Sequence, residues 1–279
     1  MEAGLRALLE KQGVKATDTP RLISAGGNNA VYRLATAEGE LIAKSDAPEQ
    51  LEGEAEGLIA LARAKSGLVV PDVIGCGHGW LLTEALETAA GGDEAALGEG
   101  LRRLHQTSLK EHGWHRDNAC GQTPQPNAPM ADGRAFQRER RLLPLVEACA
   151  RHDLLDAETQ RRIRRQAEAL EDWLAPATPR LVHGDLWAGN VLYTPRGPAM
   201  IDPAVYAHYP EVDLAMLTLF GAPGGAFWDA YWDGAAGPTD WPRREALFQL
   251  YPLLNHLLLF GTGYLGGVRR ALSRLEHAG

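Results

Sequence analysis

Residues 180–202 constrain this chain more than any other stretch. They contain three short apolar runs, at 180–183, 190–193 and 198–201, which read as a strand followed by a hairpin. Asp185 and Asn190 stand five residues apart on the tight loop between the first strand and the hairpin, and Asp202 ends the last strand. Taken singly, His183-Gly184-Asp185 would be a plain turn and Asp202-Pro203 a strand terminator. Their joint occurrence at hairpin spacing, behind a strand-rich region, points instead to a built site.

That region is the first ~90 residues. Residues 21–24, 30–35 and 40–44 read as short strands joined by Gly- or Asn-containing turns, residues 49–65 as a helix, and residues 69–74 and 80–84 as two more strands around the turn 75–79. The helix keeps Leu51, Ala55, Leu58, Ile59 and Ala62 on one face. Five strands and one helix make a compact lobe that does not easily stand alone. After a small-residue link at 87–93 the chain turns mostly helical, with helices expected at 95–106, 134–151, 157–174, 210–220, 226–234, 243–260 and 266–276. Residues 112–132 are polar, and Pro124, Pro126 and Pro129 block regular structure there. The pattern is an α+β chain in two lobes, a small one over residues 1–86 and a larger helical one over residues 87–279.

Composition narrows the partners. With 45% hydrophobic and 23% charged residues the chain has the profile of an ordered globular protein. A net charge of −8 argues against a nucleic-acid or anionic-membrane surface, because those partners attract basic faces. The apolar stretch 250–260 is interrupted by Pro252, Asn255 and His256 and is far too short to span a bilayer. The N-terminal residues form a mixed-charge amphipathic helix without an apolar secretory core, so no signal peptide is expected. Three scattered cysteines, Cys76, Cys120 and Cys149, make neither a disulfide framework nor a metal cluster, which suits a reducing cytoplasm.

The chemistry that fits residues 183–202 is phosphoryl transfer. It needs a carboxylate to take the attacking hydroxyl's proton, and oxygen ligands to hold Mg²⁺ across nucleotide phosphates. In the small lobe, Gly26 and Gly27 of Ser24-Ala-Gly-Gly-Asn-Asn let backbone approach a phosphate without a Cβ in the way. Lys44 lies in the otherwise apolar run Leu-Ile-Ala-Lys, where a charge is costly unless paired. Among the acidic residues of the following helix, Glu52 and Glu54 flank the apolar face from opposite sides, and Glu56 points furthest away. The helical wheel does not choose between the first two.

These strings carry a resemblance. His183-Gly-Asp185 followed by Asn190 resembles the catalytic loop shared by protein kinases and by aminoglycoside or choline phosphotransferases. The fuller strings HGDLWAGNVLY, IDPAVY, DLAM and GWHRDNACGQTPQPN, with the strand pair around LIAKSD, are similar to the fructosamine/ketosamine kinase family, over residues 24–220. The resemblance implies a two-lobed protein-kinase-like fold whose small lobe is a five-stranded antiparallel sheet with one main helix. It implies Asp185 as catalytic base and Asn190 and Asp202 as metal ligands. Gly26, Gly27 and Asn28 would form the phosphate loop. Lys44 would hold the α- and β-phosphates, with Glu54 as its partner, and Glu84 and Leu86 would offer backbone groups to adenine. His183 and Asp213 become scaffold. Two departures stand out, Ser45-Asp46 after the lysine and the string Tyr206-Ala-His-Tyr-Pro-Glu211; both bear on cleft shape more than on reaction type.

Trp187, two residues beyond the expected base, is read as a wall of the acceptor site, since aromatic faces stack on sugars and cations. The expected activity is ATP- and Mg²⁺-dependent phosphorylation of the O3 hydroxyl of a ketosamine, free or on a glycated protein lysine, a deglycation-repair role in the cytoplasm. The competing enzyme reading is an aminoglycoside- or choline-type phosphotransferase. A non-catalytic binding module would lack at least one of Lys44, Asp185, Asn190 and Asp202, and all four are present.

Overall fold

The computed structural model describes residues 2–26 and 29–277. The N-terminal helix α1 (Ala3–Gln12) ends on Gly13, whose φ of 67° lets its amide reach back to Leu9 and Glu10. Five strands follow around helix α2 (Pro48–Arg63): β1 (Arg21–Gly26), β2 (Asn29–Thr36), β3 (Gly39–Ser45), β4 (Val73–Gly77) and β5 (Trp80–Glu84). They form one antiparallel sheet in the order β1-β2-β3-β5-β4. Strand alternation divides its residues between two faces. Leu34, Ala43, Trp80 and Leu82 pack under Leu5, Leu8 and Leu9 of α1. Val31, Ile42, Lys44, Leu81 and Thr83 line the opposite face, towards the cleft. A one-residue slip of β3 would bury Lys44 beneath α1, so the packing of α1 fixes the register that the site depends on.

The strand expected at 69–74 lies further along the chain, and the expected turn at 75–79 is mostly strand. Gly75 can sit in β4 because α1 passes close by; a Cβ there would meet the Gln12 side chain at 2.7 Å. The turn is His78-Gly79, with φ of 56° and 75°, the two-residue hairpin geometry that suits a right-twisted ribbon. Val69 instead bridges Ala199, exchanging hydrogen bonds with Pro198 and Met200 and tying the two lobes together.

Helix α3 (Glu94–Leu104) opens the larger lobe, capped by the Asp93 side chain on the Ala96 amide. Within residues 112–132, expected to be irregular, β6 (Asn118–Cys120) and β7 (Thr123–Gln125) form a small hairpin. Pro124 fits because neither strand of a two-stranded ribbon needs every amide. The helical run expected at 134–151 is present, but Gln137–Leu142 is a π-turn that brings in the buried Arg141. The run at 157–174 breaks at Ala169 into Ala157–Glu168 and Leu170–Trp173.

The functional segment is β8 (Arg180–Val182), a loop, β9 (Val191–Thr194), β10 (Gly197–Met200) and β11 (Tyr206–His208). β11, absent from the sequence expectations, pairs with β8 and closes the loop between them. Helices Glu211–Leu219, Gly225–Tyr231, Trp241–Phe260 and Leu265–His277 bury the main core beneath this segment. Among the described residues no helix is long and apolar enough to cross a membrane.

Candidate active site

Lys44 projects from β3 into the cleft. Its Nζ donates to Glu54 Oε2 of α2 at 2.5 Å and lies 3.4 Å from Asp202 Oδ1. The Lys44 and Glu54 side chains are only 18% and 14% exposed. Burial works against the lysine's charge, but the Glu54 and Asp202 carboxylates outweigh it and hold the ammonium above its ordinary value. Glu54 is thus the partner that the helical wheel left open. Glu52 and Glu56 turn away together and both bind Arg116, at 2.8 and 2.9 Å.

Asp185 follows β8 on a loop that only glycine can enter. Gly184 has φ of 84°, and a Cβ on it would stand 2.1 Å from the Ala204 carbonyl oxygen. The loop is braced from beneath by Asp213, fully buried, which accepts from the His183 amide at 2.7 Å and the Gly184 amide at 2.9 Å. His183 Nδ1 accepts from the Asp185 amide at 3.3 Å and its Nε2 donates to the Ile201 carbonyl at 2.9 Å. Burial keeps that imidazole below its ordinary value, so it stays neutral and ties the two strand ends together.

Asn190 Nδ2 donates to the Asp185 carbonyl at 2.9 Å, and among the described residues its amide oxygen has no partner. Asp202 sits at φ 53°, a backbone conformation uncommon for a residue with a side chain, and its carboxylate is 51% exposed. Burial, and then the negative charge of Asp202, push the Asp185 carboxyl up to about 6; hydrogen bonds from Cys120 and Asn190 pull the other way.

Two cavities meet at Lys44, Glu54 and Asp202. One, of about 310 Å³, runs between the sheet and β9 and is lined by Ile23, Val31, Ile42, Leu81, Leu192 and Ile201. Glu84 and Leu86 lie at its edge. The Glu84 amide is engaged by the Asp72 carbonyl, and its carboxylate pairs with Arg196. The other cavity, of about 290 Å³, is polar, lined by Asp46, Gln50, Asn118, Gln122, Asp185 and Trp187 among others. Trp187 is 39% exposed, its ring lying over Gly189. Gly26 ends β1 against Asn29; Gly27 and Asn28, expected in the phosphate loop, lie outside the described residues.

Three contributors escaped sequence reasoning because their partners are distant in the chain. His105 Nε2 meets Asp213 at 3.1 Å and its Nδ1 meets the Tyr231 hydroxyl at 2.8 Å, fixing the brace itself. Buried Cys120 lines one small cavity with Asp185. Arg141 donates to the Pro126 carbonyl and Asn127 Oδ1 at 2.7 and 2.6 Å and lies over the Tyr206 ring, anchoring the β6–β7 segment from the core. The run of strings at 114–127 was the only signal for any of them.

Comparisons with known proteins identify the family. The family model described as fructosamine kinase matches residues 2–277. A probable ketoamine kinase of Synechocystis is 36% identical over 256 residues, covering 88% of this chain and 85% of that protein. A chloroplastic protein-ribulosamine 3-kinase of Oryza sativa subsp. indica is 33% identical, covering 90% of this chain and 77% of that protein. The crystal structure of a candidate fructosamine-3-kinase from Thermobifida fusca superposes with a TM-score of 0.90 at 31% identity, covering 99% of this chain and 98% of that one. With the two-lobed, kinase-like α+β fold, these matches show that the chain is a kinase and belongs to the fructosamine kinase family.

Proposed function

We propose that this kinase transfers the γ-phosphoryl group of ATP to the O3 hydroxyl of a ketosamine such as a fructosamine or ribulosamine, in a deglycation-repair role in the cytoplasm. The observation that carries the reading is the shared wall: an apolar cavity and a polar one meet at Lys44, Glu54 and Asp202, with Asp185 and Asn190 lining the polar side. Adenine fits the apolar cavity, with main-chain groups of Glu84 and Leu86 at its edge, and the sugar fits the polar one. Relatives named for ketoamines and ribulosamine support the acceptor class.

In this reading Asp185 accepts the proton of the attacking hydroxyl as its oxygen bonds to the γ-phosphorus and the bond to the β-phosphate oxygen breaks, releasing ADP. A carboxyl with a value near 6 is ionised at neutral pH yet still a usable base. Lys44, oriented by Glu54, holds the phosphates. The residues present suit Mg²⁺: one exposed carboxylate, Asp202, and one free amide oxygen, on Asn190, match an ion that takes few protein ligands and leaves the rest to phosphate and water. When bound there, Mg²⁺ would supply charge neutralisation across the phosphates. His183 and Asp213 keep the loop rigid. Trp187 forms the outer wall of the acceptor site.

An ADP-release assay across fructosamine, ribulosamine, choline and aminoglycoside acceptors tests the reading. Turnover is expected with one or both ketosamines. Turnover confined to choline or an aminoglycoside would sink it.

A further inference from the structure

We propose that Arg116 is a positioning residue for phosphoryl transfer, clamping α2 to the acceptor-side hairpin so that the two substrate sites act on one another through the Lys44–Glu54 pair. α2 presents three faces to three neighbours. Glu54 reaches Lys44. Gly53 and Gly57, one turn apart, form a seam against the larger lobe: a Cβ at position 53 would meet Asn118 at 3.1 Å, and one at position 57 would meet Pro203 and Val205 at 3.1 Å. Beside that seam Glu52 and Glu56 are gripped by Arg116, with His115 adding a contact to Glu56 at 3.1 Å. The helix that orients the lysine is thereby seated on the larger lobe, not on the sheet alone.

The clamp leads directly into the acceptor side. Two residues after Arg116, Asn118 lines the polar cavity with Ala119, Gly121 and Gln122 of the same hairpin. Asn118 donates to the Val205 carbonyl at 2.9 Å and accepts from Gln125 and Asn127 at 3.0 and 2.8 Å. Val205 lies three residues beyond Asp202. A hairpin ordered by an acceptor therefore bears on α2 at Gly53 and on the Asp202 segment, and Arg116 fixes the first of these contacts. Exposed ion pairs contribute little to stability, so this grip matters through geometry more than through the fold. A small displacement of an orienting group is enough to cost catalysis.

The test is a double-mutant cycle between two residues that do not touch. Arg116→Ala is expected to lower kcat/KM for ATP about 10-fold, with Tm within ~2 °C of the parent. In a Glu54→Gln background the same substitution should cost less than two-fold, because its route of action is already gone. Arg116→Lys, which keeps the charge and loses the fork, should recover only part of the activity, and joint replacement of Glu52 and Glu56 by Gln, which opens the clamp from its other side, should give the same roughly 10-fold loss at unchanged Tm. Binding of a non-hydrolysable ATP analogue should tighten when a turned-over acceptor is added to the parent and tighten less in Arg116→Ala. Additive costs in the cycle, or a loss of activity that tracks loss of Tm, would overturn the proposal. The inference rests on Lys44 as the phosphate-holding lysine. If Lys44→Ala leaves the ATP KM and kcat unchanged, that reading fails; if Lys44→Ala is impaired and Arg116→Ala is not, only the clamp fails.

Discussion

The two cavities on either side of Lys44 have nearly the same volume and opposite chemistry. The one beneath the sheet is walled by aliphatic side chains from β1, β2, β3, β5 and β9. The one beyond Asp202 is walled by amides, carboxylates and a single indole. An apolar site gains affinity by burial and discriminates weakly, since each methylene contributes little. A site built from hydrogen-bonding groups rejects an analogue that leaves them unpaired. If the phosphoryl donor occupies the apolar side and the acceptor the polar side, as proposed, specificity belongs to the polar side and donor affinity to the apolar one. Residues on the shared wall should affect both substrates, and residues on either flank only one.

Asp185 is the sharpest point at which to break that division. Asp185→Asn should lower kcat by about 10³-fold or more while an ATP analogue still binds with its parental affinity. The same substitution should stabilise the fold. The Asp185 carboxyl is raised to about 6 when folded, so its ionisation opposes folding at neutral pH. That penalty, about 1–3 kcal/mol, is fully present above pH 6 and vanishes below the unfolded value near 4. Thermal melts should show the variant more stable at pH 7.5 and the gap closing as pH falls through that window. The activity of the parent should fall on the same acid side, as the base becomes protonated. A variant with equal turnover would remove Asp185 from the chemistry.

Lys44→Ala should come next, with kcat/KM down about 10²-fold for ATP. Because Lys44 also faces Asp202, the acceptor kinetics should suffer with it, as befits the shared wall. Leu192→Ala, on the floor of the apolar cavity, should raise the ATP KM about 10-fold and leave the acceptor KM within two-fold. A parallel rise in both constants would mean that the cavities are not separable.

Much of this site was legible in the sequence because its groups are local. Asp185, Asn190 and Asp202 fall on one strand–hairpin unit, and Lys44 is conspicuous as a charge within an apolar strand. Distance in the chain hid the rest. Nothing near His105 announces Asp213, and nothing near Glu52 announces Arg116, since those contacts exist only once the larger lobe has closed on α2. Glycine and proline misled in both directions. Gly75 and Gly77 suggested a turn and lie in β4, because α1 passes too close for a side chain at Gly75. Pro124 suggested a break and lies in β7, because a two-stranded ribbon leaves edge amides free. The lobes were readable from strand and helix periodicity; the seam between them, made by Gly53 and Gly57, was not, since a helical glycine looks the same in sequence whether it faces solvent or another backbone.

The smallest effect is expected at Trp187, and it is the one that most sharpens the comparison. The ring is held edge-on to Phe220 and over Gly189, yet more than a third of it remains exposed on the polar cavity. A ketosamine acceptor, as proposed, would bring to that wall a sugar face and a protonated secondary amine, both of which an indole attracts. At a solvent-exposed site such contacts amount to about 0.5–1 kcal/mol. Trp187→Ala should therefore raise the acceptor KM roughly 2–5-fold, with the ATP KM and the melting temperature little changed. Trp187→Phe should recover part of the loss, because a smaller aromatic face keeps the geometry. If the acceptor KM stays at the parental value in both variants, the indole is packing for the Asp185–Asn190 loop, and discrimination must come from Asn118, Gln122, Asp46 and Gln50 alone.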